Sequence, residues 1–361
     1  MAPLDPRGRP PSEGGSEGSL AAARLRLPAE WEPHARTWLA WPHRASDWPG
    51  IFERIPPVWV AMARALREGE PVAILVSGPA MAEEVRRAFS GDLAGIELFE
   101  IPTDGAWIRD YGPIAVESSG RPGARVATKW RFNSWGGKYP PWDLDDAAGA
   151  AIAERIGIPC VRTGLVLEGG SIDADGEGTI LTTESCLLNP NRNPELSREE
   201  IEAALAKYLG AEKVLWLGRG IEGDDTDGHV DDLARFVAPG VVAAAAEDDP
   251  RDPNGAALEE NLERLRGLRD AKGRRLEVVE LPMPPPVFHE GHRCPASYAN
   301  FYVANSAVLF PGFGCPEDGV VRGILEGLFP GRRVVAVEAR DLVWGLGAVH
   351  CVTRDEPAAR R

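Results

Sequence analysis

Apolar residues along this chain follow two spacings in alternation. Stretches with apolar positions three and four apart end at a Gly or Pro and give way to short runs of Val, Ile and Leu, the pattern of an amphipathic helix followed by a buried strand. Pro57 to Leu66 breaks at Gly69 and leads into Val72 to Val76. Met81 to Phe89 breaks at Gly91 and Gly95 and leads into Ile96 to Ile101. Leu144 to Ile156 breaks at Gly157 before Val161 and the segment LVLEGG, and Ile201 to Leu209 breaks at Gly210 before Val214 to Gly218. Ala257 to Leu268 leads through Gly273 into LEVVELP, and Val320 to Leu328 leads through Gly331 into VVAVEA. The recurrence predicts an α/β protein.

Polar clusters lie just after those strands. DGAWIRDYGP follows Ile101, DDTDGHVDD follows the strand at Val214, and VWGLGAVHC follows Val337, while LVLEGG lies within or beside its own strand. A repeated unit that delivers its functional loops to one end suits a ring around a central site. An open doubly wound sheet predicts the same alternation. The chain has no GxxxxGK[ST] loop, so a P-loop phosphate site is not indicated.

Composition narrows the class. With 361 residues, 43% of them hydrophobic, the chain can bury a sizeable core. A formal net charge of −15 argues against nucleic acid and suits a cationic partner. The 5 cysteines are scattered with no CxxC pair, which favours a reducing compartment over a disulfide framework or zinc ribbon. Residues 1–27 are rich in Pro, Gly, Ser and charge and contain no apolar stretch for a signal or membrane segment. They are expected to be a disordered tail, with a single domain over 28–357, a short tail over 358–361, no membrane partner and a cytoplasmic location.

Four segments carry candidate chemistry. Cys351 stands in a short apolar stretch behind glycines, either a buried small hydrophobe or a nucleophile. GDDTDGHVDDLARF is an acidic turn that lacks the closing glutamate of a calcium loop. Strand alternation there would turn His229 and Asp231 to one face, as a base and a cation clamp. In TDGAWIRDYGP, Asp110 beside the aromatic Trp107 would suit a cation, although an Arg109–Asp110 structural pair reads equally well. Glu168 ends an apolar run before two glycines, as an edge residue or as the carboxylate that orients a histidine. His289, His292 and Cys294 offer zinc-type ligands but no fourth partner, so a surface loop is the expected reading.

Taken together, PAEWEPHARTWLAWP, DGAWIRDYGP, RFNSWGGKY, LVLEGGSID, CLLNPNRNP, GDDTDGHVDDLARF, ASYANFYVANSAVLFPGFG and WGLGAVHCVT resemble, in order, the agmatine deiminase family of guanidino-group-modifying enzymes. The resemblance covers nearly everything from Pro28 to Pro357. It implies a pentein-like fold, a five-bladed pseudo-symmetric α/β propeller with the active site on its central axis. It also implies Cys351 as nucleophile, His229 as general acid and base, Glu168 as the carboxylate orienting His229, and Asp110 and Asp231 as guanidinium ligands. The implied reaction converts agmatine to N-carbamoylputrescine and ammonia through a covalent thiouronium, with no metal or organic cofactor. A homo-oligomer is implied too. The chain departs from the commonest family pattern at Trp344-Gly345-Leu346-Gly347 and at Arg354 and Asp355, and both departures bear on the substrate entrance.

Other readings share these residues. A deiminase of free or peptidyl arginine would need a cation for the substrate carboxylate, for which Arg109, Arg131 and Arg192 are available. An amidinotransferase would resolve the same intermediate with an amine. A non-catalytic guanidine-binding protein would need only the aspartates and an aromatic wall.

Overall fold

The computed structural model describes residues 25–118 and 123–360. Residues 1–24 of the expected tail lie outside the described residues. Just ahead of the expected boundary at Pro28, β1 (Leu25–Arg26) pairs antiparallel with β5 (Ile114–Ser118). Arg26 also bonds Glu32 and Glu117, which ties this stretch to the domain. The end after Pro357 is held as well, by Ala358 N–H to Pro33 O at 2.7 Å and Arg360 to Glu32 at 2.5 Å.

All six periodic helices and the strands that follow them are present. Each helix is a crossover between two parallel strands, which need a connection of a dozen or more residues. Helix Ile55–Leu66 joins β2 (His34–Ala40) to β3 (Val72–Val76), and helix Pro79–Ala88 joins β3 to β4 (Ile96–Glu100). Helix Asp143–Arg155 joins β6 (Arg125–Arg131) to β7 (Cys160–Val166), and helix Arg198–Leu209 joins β9 (Thr179–Thr183) to β10 (Lys213–Leu217). Helix Gly255–Gly267 joins β12 (Val241–Ala246) to β13 (Glu277–Pro282), and helix Glu317–Leu328 joins β17 (Ala307–Gly312) to β18 (Arg333–Glu338).

What periodicity did not reveal is the antiparallel strand added to each pair. β5 flanks β6, β8 (Ile172–Ala174) flanks β9, β11 (Ala234–Ala238) flanks β12, and β16 (Tyr302–Val303) flanks β17. The chain ends meet in the remaining large sheet, where β19 (Arg354–Pro357) lies antiparallel to β2. Among the described residues this gives five sheets of three or four strands, plus a two-stranded hairpin of β14 (Phe288–His289) and β15 (His292–Arg293).

Local chemistry explains individual elements. Helix Ile55–Leu66 buries Ile55, Val58, Trp59, Met62, Ala63 and Leu66, one stripe at three- and four-residue spacing, against sheet neighbours in the largest apolar core. Helix Arg198–Leu209 starts before its first apolar residue because Ser197 and Glu200 form a reciprocal capping box, and it stops at left-handed Gly210. β3 (VAILV) is buried at every position, as expected for a strand covered on both faces.

Candidate active site

The segment after the last parallel strand of each of the five large sheets carries a residue of one cluster. Trp107 and Asp110 follow β4, Glu168 follows β7, His229 and Asp231 follow β10, Asn300 follows β13 and Cys351 follows β18. Gly170 marks where most of them meet. A Cβ built on it would stand 2.6 Å from His229 Nδ1 and 2.9 Å from both Asp110 Oδ1 and Asp231 Oδ2. No side chain fits there, so glycine is what lets the three groups approach each other.

Asp110 is held in a one-turn helix, Ile108–Tyr111, whose burial is complete along all four residues. Its Oδ1 accepts Gly170 N–H at 2.8 Å and its Oδ2 accepts Trp135 Nε1 at 2.9 Å. Trp135 reaches it through a strained turn, with Ser134 at φ 53° and Trp135 at φ 54°. Two successive non-glycine residues in the left-handed region are costly and cluster at functional sites. The pairing of Asp110 with Arg109 does not occur. Arg109 instead bonds Glu30 at 3.0 Å and Asp355 at 3.2 Å. Burial pushes the Asp110 carboxyl up to about 8, with the Asp231 and Glu168 charges adding to it.

His229 and Asp231 do converge, but on a 3-10 turn over Val230–Asp232 rather than on alternating strand positions. Asp231 is fully buried, and its Oδ2 accepts from His350 Nδ1 at 2.7 Å. Burial opposes its charge, yet the His350 hydrogen bond and neighbouring positive groups hold it below the usual aspartate range. His350 in turn bonds Glu30 through Nε2 at 2.8 Å. His229 stands 3.7 Å from Asp110 Oδ1, and burial depresses its imidazole to about 3. Glu168 is 0% exposed, which removes the edge-residue reading. Its Oε1 accepts Arg192 Nε at 2.7 Å, and ligand atoms of Glu168, His229 and Cys186 lie within 4.8 Å of one another. Arg192 already neutralises Glu168 and opposes a metal cation at that trio. Glu168 Oε2, His229 Nε2 and Asp231 Oδ1 are buried with no hydrogen-bond partner among the described residues, a costly state unless something fills it.

Cys351 sits in a turn before β19. Its Sγ accepts Asn300 Nδ2 at 3.2 Å and stands 4.0 Å from Asp231 Oδ2. Burial raises the thiol well above its ordinary value, and Asp231, Asp232 and Asp110 raise it further. Cys351 and Asp110 line a cavity of about 320 Å³. Trp107 forms one wall, tilted against Trp48 at 5.3 Å between ring centroids and donating to Asp47 Oδ2 at 3.3 Å. Gly347 packs edge-on to that wall, because a Cβ there would be 2.5 Å from Trp107 Cζ3 and 3.1 Å from Cys351 Cβ. His229, Glu168 and Asp231 lie behind this cavity and not on its surface.

The cavity lining also includes Asp47, Asp145 and Asp225 beside one cation, Arg44, and burial pushes the Asp47 carboxyl up to about 6 and that of Asp145 to about 8. Arg109 and Arg192 are buried in ion pairs and cannot meet a substrate carboxylate there. Of the two departures noted in sequence, Trp344 to Gly347 line the cavity, whereas Arg354 is buried in β19 with its Nε on Pro113 O at 3.0 Å. His289 stacks on Trp344 at 5.1 Å and contacts Arg340 O, so it braces the cavity rim through the hairpin. Among the described residues His289, His292 and Cys294 do not form a ligand cluster. Trp135, His350 and Asn300 went unassigned in sequence. Their motifs, RFNSWGGKY, WGLGAVHCVT and ASYANFYV, were visible, but nothing in a single sequence reveals which side chains turn inward.

Comparison with known proteins agrees with this geometry. Residues 26–357 match the model of the Porphyromonas-type peptidyl-arginine deiminases. The agmatine deiminase of Ectopseudomonas mendocina is 42% identical over 357 residues, covering 92% of this chain and 96% of that protein. A solved agmatine deiminase of Enterococcus faecalis superposes with TM-score 0.87 at 37% identity, over 93% of this chain and 96% of the other. A dimethylarginine dimethylaminohydrolase shares the mixed α/β fold alone, at TM-score 0.50 and 14% identity over 89% of this chain and 99% of that one. The chain therefore belongs to the Porphyromonas-type peptidyl-arginine deiminase family, together with the agmatine deiminases that it matches over nearly its whole length.

Proposed function

We propose that this protein is an agmatine deiminase, hydrolysing the guanidinium group to give N-carbamoylputrescine and ammonia. The observation that carries the reading is the meeting of Asp110, Asp231 and His229 around Gly170, with Cys351 Sγ 4.0 Å from Asp231 Oδ2 and both Cys351 and Asp110 lining a tryptophan-walled cavity. The unpartnered Asp231 Oδ1 and His229 Nε2 are groups that guanidinium N–H donors and a transferable proton would satisfy.

In this reading Asp110 and Asp231 grip the planar cation by charge-assisted hydrogen bonds and aim its carbon at sulfur. Opposite charges 4 Å apart attract by about 4 kcal/mol at an effective dielectric of 20. A bound cation therefore offsets the carboxylates that keep Cys351 protonated in the empty site. His229, neutral at pH 7 because burial opposes its charge, takes the thiol proton. The sulfur electron pair then forms the C–S bond. His229 returns the proton to one nitrogen, which leaves as ammonia, and a cationic thiouronium remains on Cys351. Water attacks next, gives a proton to His229, and displaces the thiol to yield the urea product. Glu168 orients His229 and balances its charge when protonated. No step calls on a metal or organic cofactor.

Agmatine is favoured over arginine by the carboxylate-rich mouth, where Arg44 is already engaged with Ser46, Pro140 O and Asp47. We also infer a single catalytic domain whose five sheets close into a five-bladed propeller with the site on its axis. Support comes from the five loops that share one site and from the pairing of β2 with β19. An experimental structure with any of the five sheets outside one ring would reject it. A homo-oligomer belongs to the same reading, and light scattering at the monomer mass would remove it.

The test is ammonia release from agmatine, arginine and an arginine-containing peptide, with wild type and Cys351→Ala. Cys351-dependent release from agmatine is expected. Preference for arginine or peptide would overturn the substrate, and turnover by Cys351→Ala would overturn the mechanism.

A further inference from the structure

Cys351 has to become a thiolate among three carboxylates, and no residue in the mechanism above touches its sulfur with a side-chain donor. Asn300 does. Its Nδ2 lies 3.2 Å from Sγ, whereas the acceptors open to the resting thiol proton are long, Asn300 Oδ1 at 3.6 Å and Asp231 Oδ2 at 4.0 Å. The sulfur is placed to receive a hydrogen bond more than to give one.

The direction of that amide is set by its neighbours. Asn300 Oδ1 accepts the His350 backbone N–H at 2.9 Å, and Nδ2 gives its other proton to Asp232 Oδ1 at 3.0 Å. Flipping the amide would set an NH₂ against the His350 N–H, so that contact assigns the nitrogen to the sulfur side. Asp232 is itself pinned through its backbone carbonyl, which accepts Ser297 Oγ at 2.7 Å. Asn300 is fully buried, so solvent does not compete for the bond. The backbone N–H of Ala348 also acts on the sulfur.

We propose that Asn300 is a catalytic residue, whose side-chain N–H stabilises the Cys351 thiolate as it attacks the guanidinium carbon. This rests on the deiminase reading and adds a donor at the reacting atom. A hydrogen bond to a charged group strengthens as the charge forms, so the contribution is larger for the thiolate than for the resting thiol. The bound cation supplies charge balance, the amide supplies direction, and the thiol proton still passes to His229.

The test reads the sulfur directly and does not depend on which guanidine is the substrate. Alkylation of Cys351 by iodoacetamide, followed by mass spectrometry of its peptide across pH, reports thiolate formation. Asn300→Asp keeps the acceptor for His350 N–H and removes the donors. Its alkylation profile should move up by about one pH unit or more, and kcat for agmatine should fall roughly 10- to 100-fold while KM changes only a few-fold. A loss of rate with an unmoved alkylation profile would make Asn300 structural and overturn the proposal. If the variant does not fold, the wild-type protein decides. With asparagine side chains labelled with ¹⁵N, one amide pair should shift as Cys351 ionises, and no such shift should occur in Cys351→Ala. Absence of any responding asparagine amide in the wild type would refute the contact. Turnover by Cys351→Ala would instead count against the underlying deiminase mechanism.

Discussion

Agmatine binding should expel a proton near neutral pH, because one arm of the guanidinium clamp rests uncharged. The Asp110 carboxyl is pushed up to about 8 by burial first, then by the charges of Asp231 and Glu168. Asp231 stays ionised because His350 donates to it, and His229 is neutral above pH 5 with its imidazole near 3. Of these three groups only Asp110 changes state between pH 6 and 8. To accept guanidinium hydrogen bonds on both sides of the carboxylate it must lose its proton. Each pH unit below 8 then lowers affinity about tenfold, or about 1.4 kcal/mol. Affinity should therefore rise about fiftyfold from pH 6 to pH 8 and level off about a pH unit above that. Calorimetry on Cys351→Ala, which cannot turn over and removes the thiol proton from the count, measures this directly. Buffers of different ionisation enthalpy give the protons released, close to one at pH 6 and falling toward zero above pH 9. Asp110→Asn should bind weakly at every pH with the slope gone. A flat affinity from pH 6 to 8, or a slope that survives in Asp110→Asn, would refute the assignment of the titrating group.

Gly170→Ala should keep the fold but lose roughly a hundredfold or more in kcat/KM, since its methyl would fall 2.6 Å from His229 Nδ1. Near-normal turnover in that variant would mean the three groups do not need their present spacing. Asp47→Asn should raise KM for agmatine by a few-fold with kcat little changed, as expected for a partly exposed carboxylate facing the distal amine; an unaltered KM would place the amine elsewhere. Glu30 receives Arg109, Arg235 and His350 in one buried network. Breaking it with Glu30→Gln should lower Tm on the order of ten degrees, and a Tm within a degree or two of wild type would show that the network is dispensable.

Much of this molecule is readable along the chain. The six helix-and-strand crossovers follow from apolar spacing and from Gly and Pro breaks, since both are local properties of consecutive residues. Val72–Val76 has the bounds the pattern predicts, and helix Arg198–Leu209 differs only at its start, where the capping box decides. The antiparallel partners β8, β11 and β16 escape notice, being two to five residues long and stabilised by sheet neighbours rather than by their own pattern. The turn at His229 escapes because a carboxylate contact within its own loop, Asp224 Oδ2 accepting Gly228 N–H at 2.8 Å, outweighs strand alternation there.

Residue types therefore determined by themselves that a thiol, an imidazole and carboxylates were present in loops after strands, with an aromatic residue at hand for a cation. Only the tertiary structure decided which of them meet. Asp110 and Asp231 stand 121 positions apart in chain number, yet both lie 2.9 Å from the point where a Cβ on Gly170 would be. It also decided their charge states, because burial and neighbouring charges set these and neither exists in an extended chain. Trp135, His350 and Asn300 belong to the same class: each acts by one hydrogen bond to a residue far away in sequence, and such a bond has no local signature.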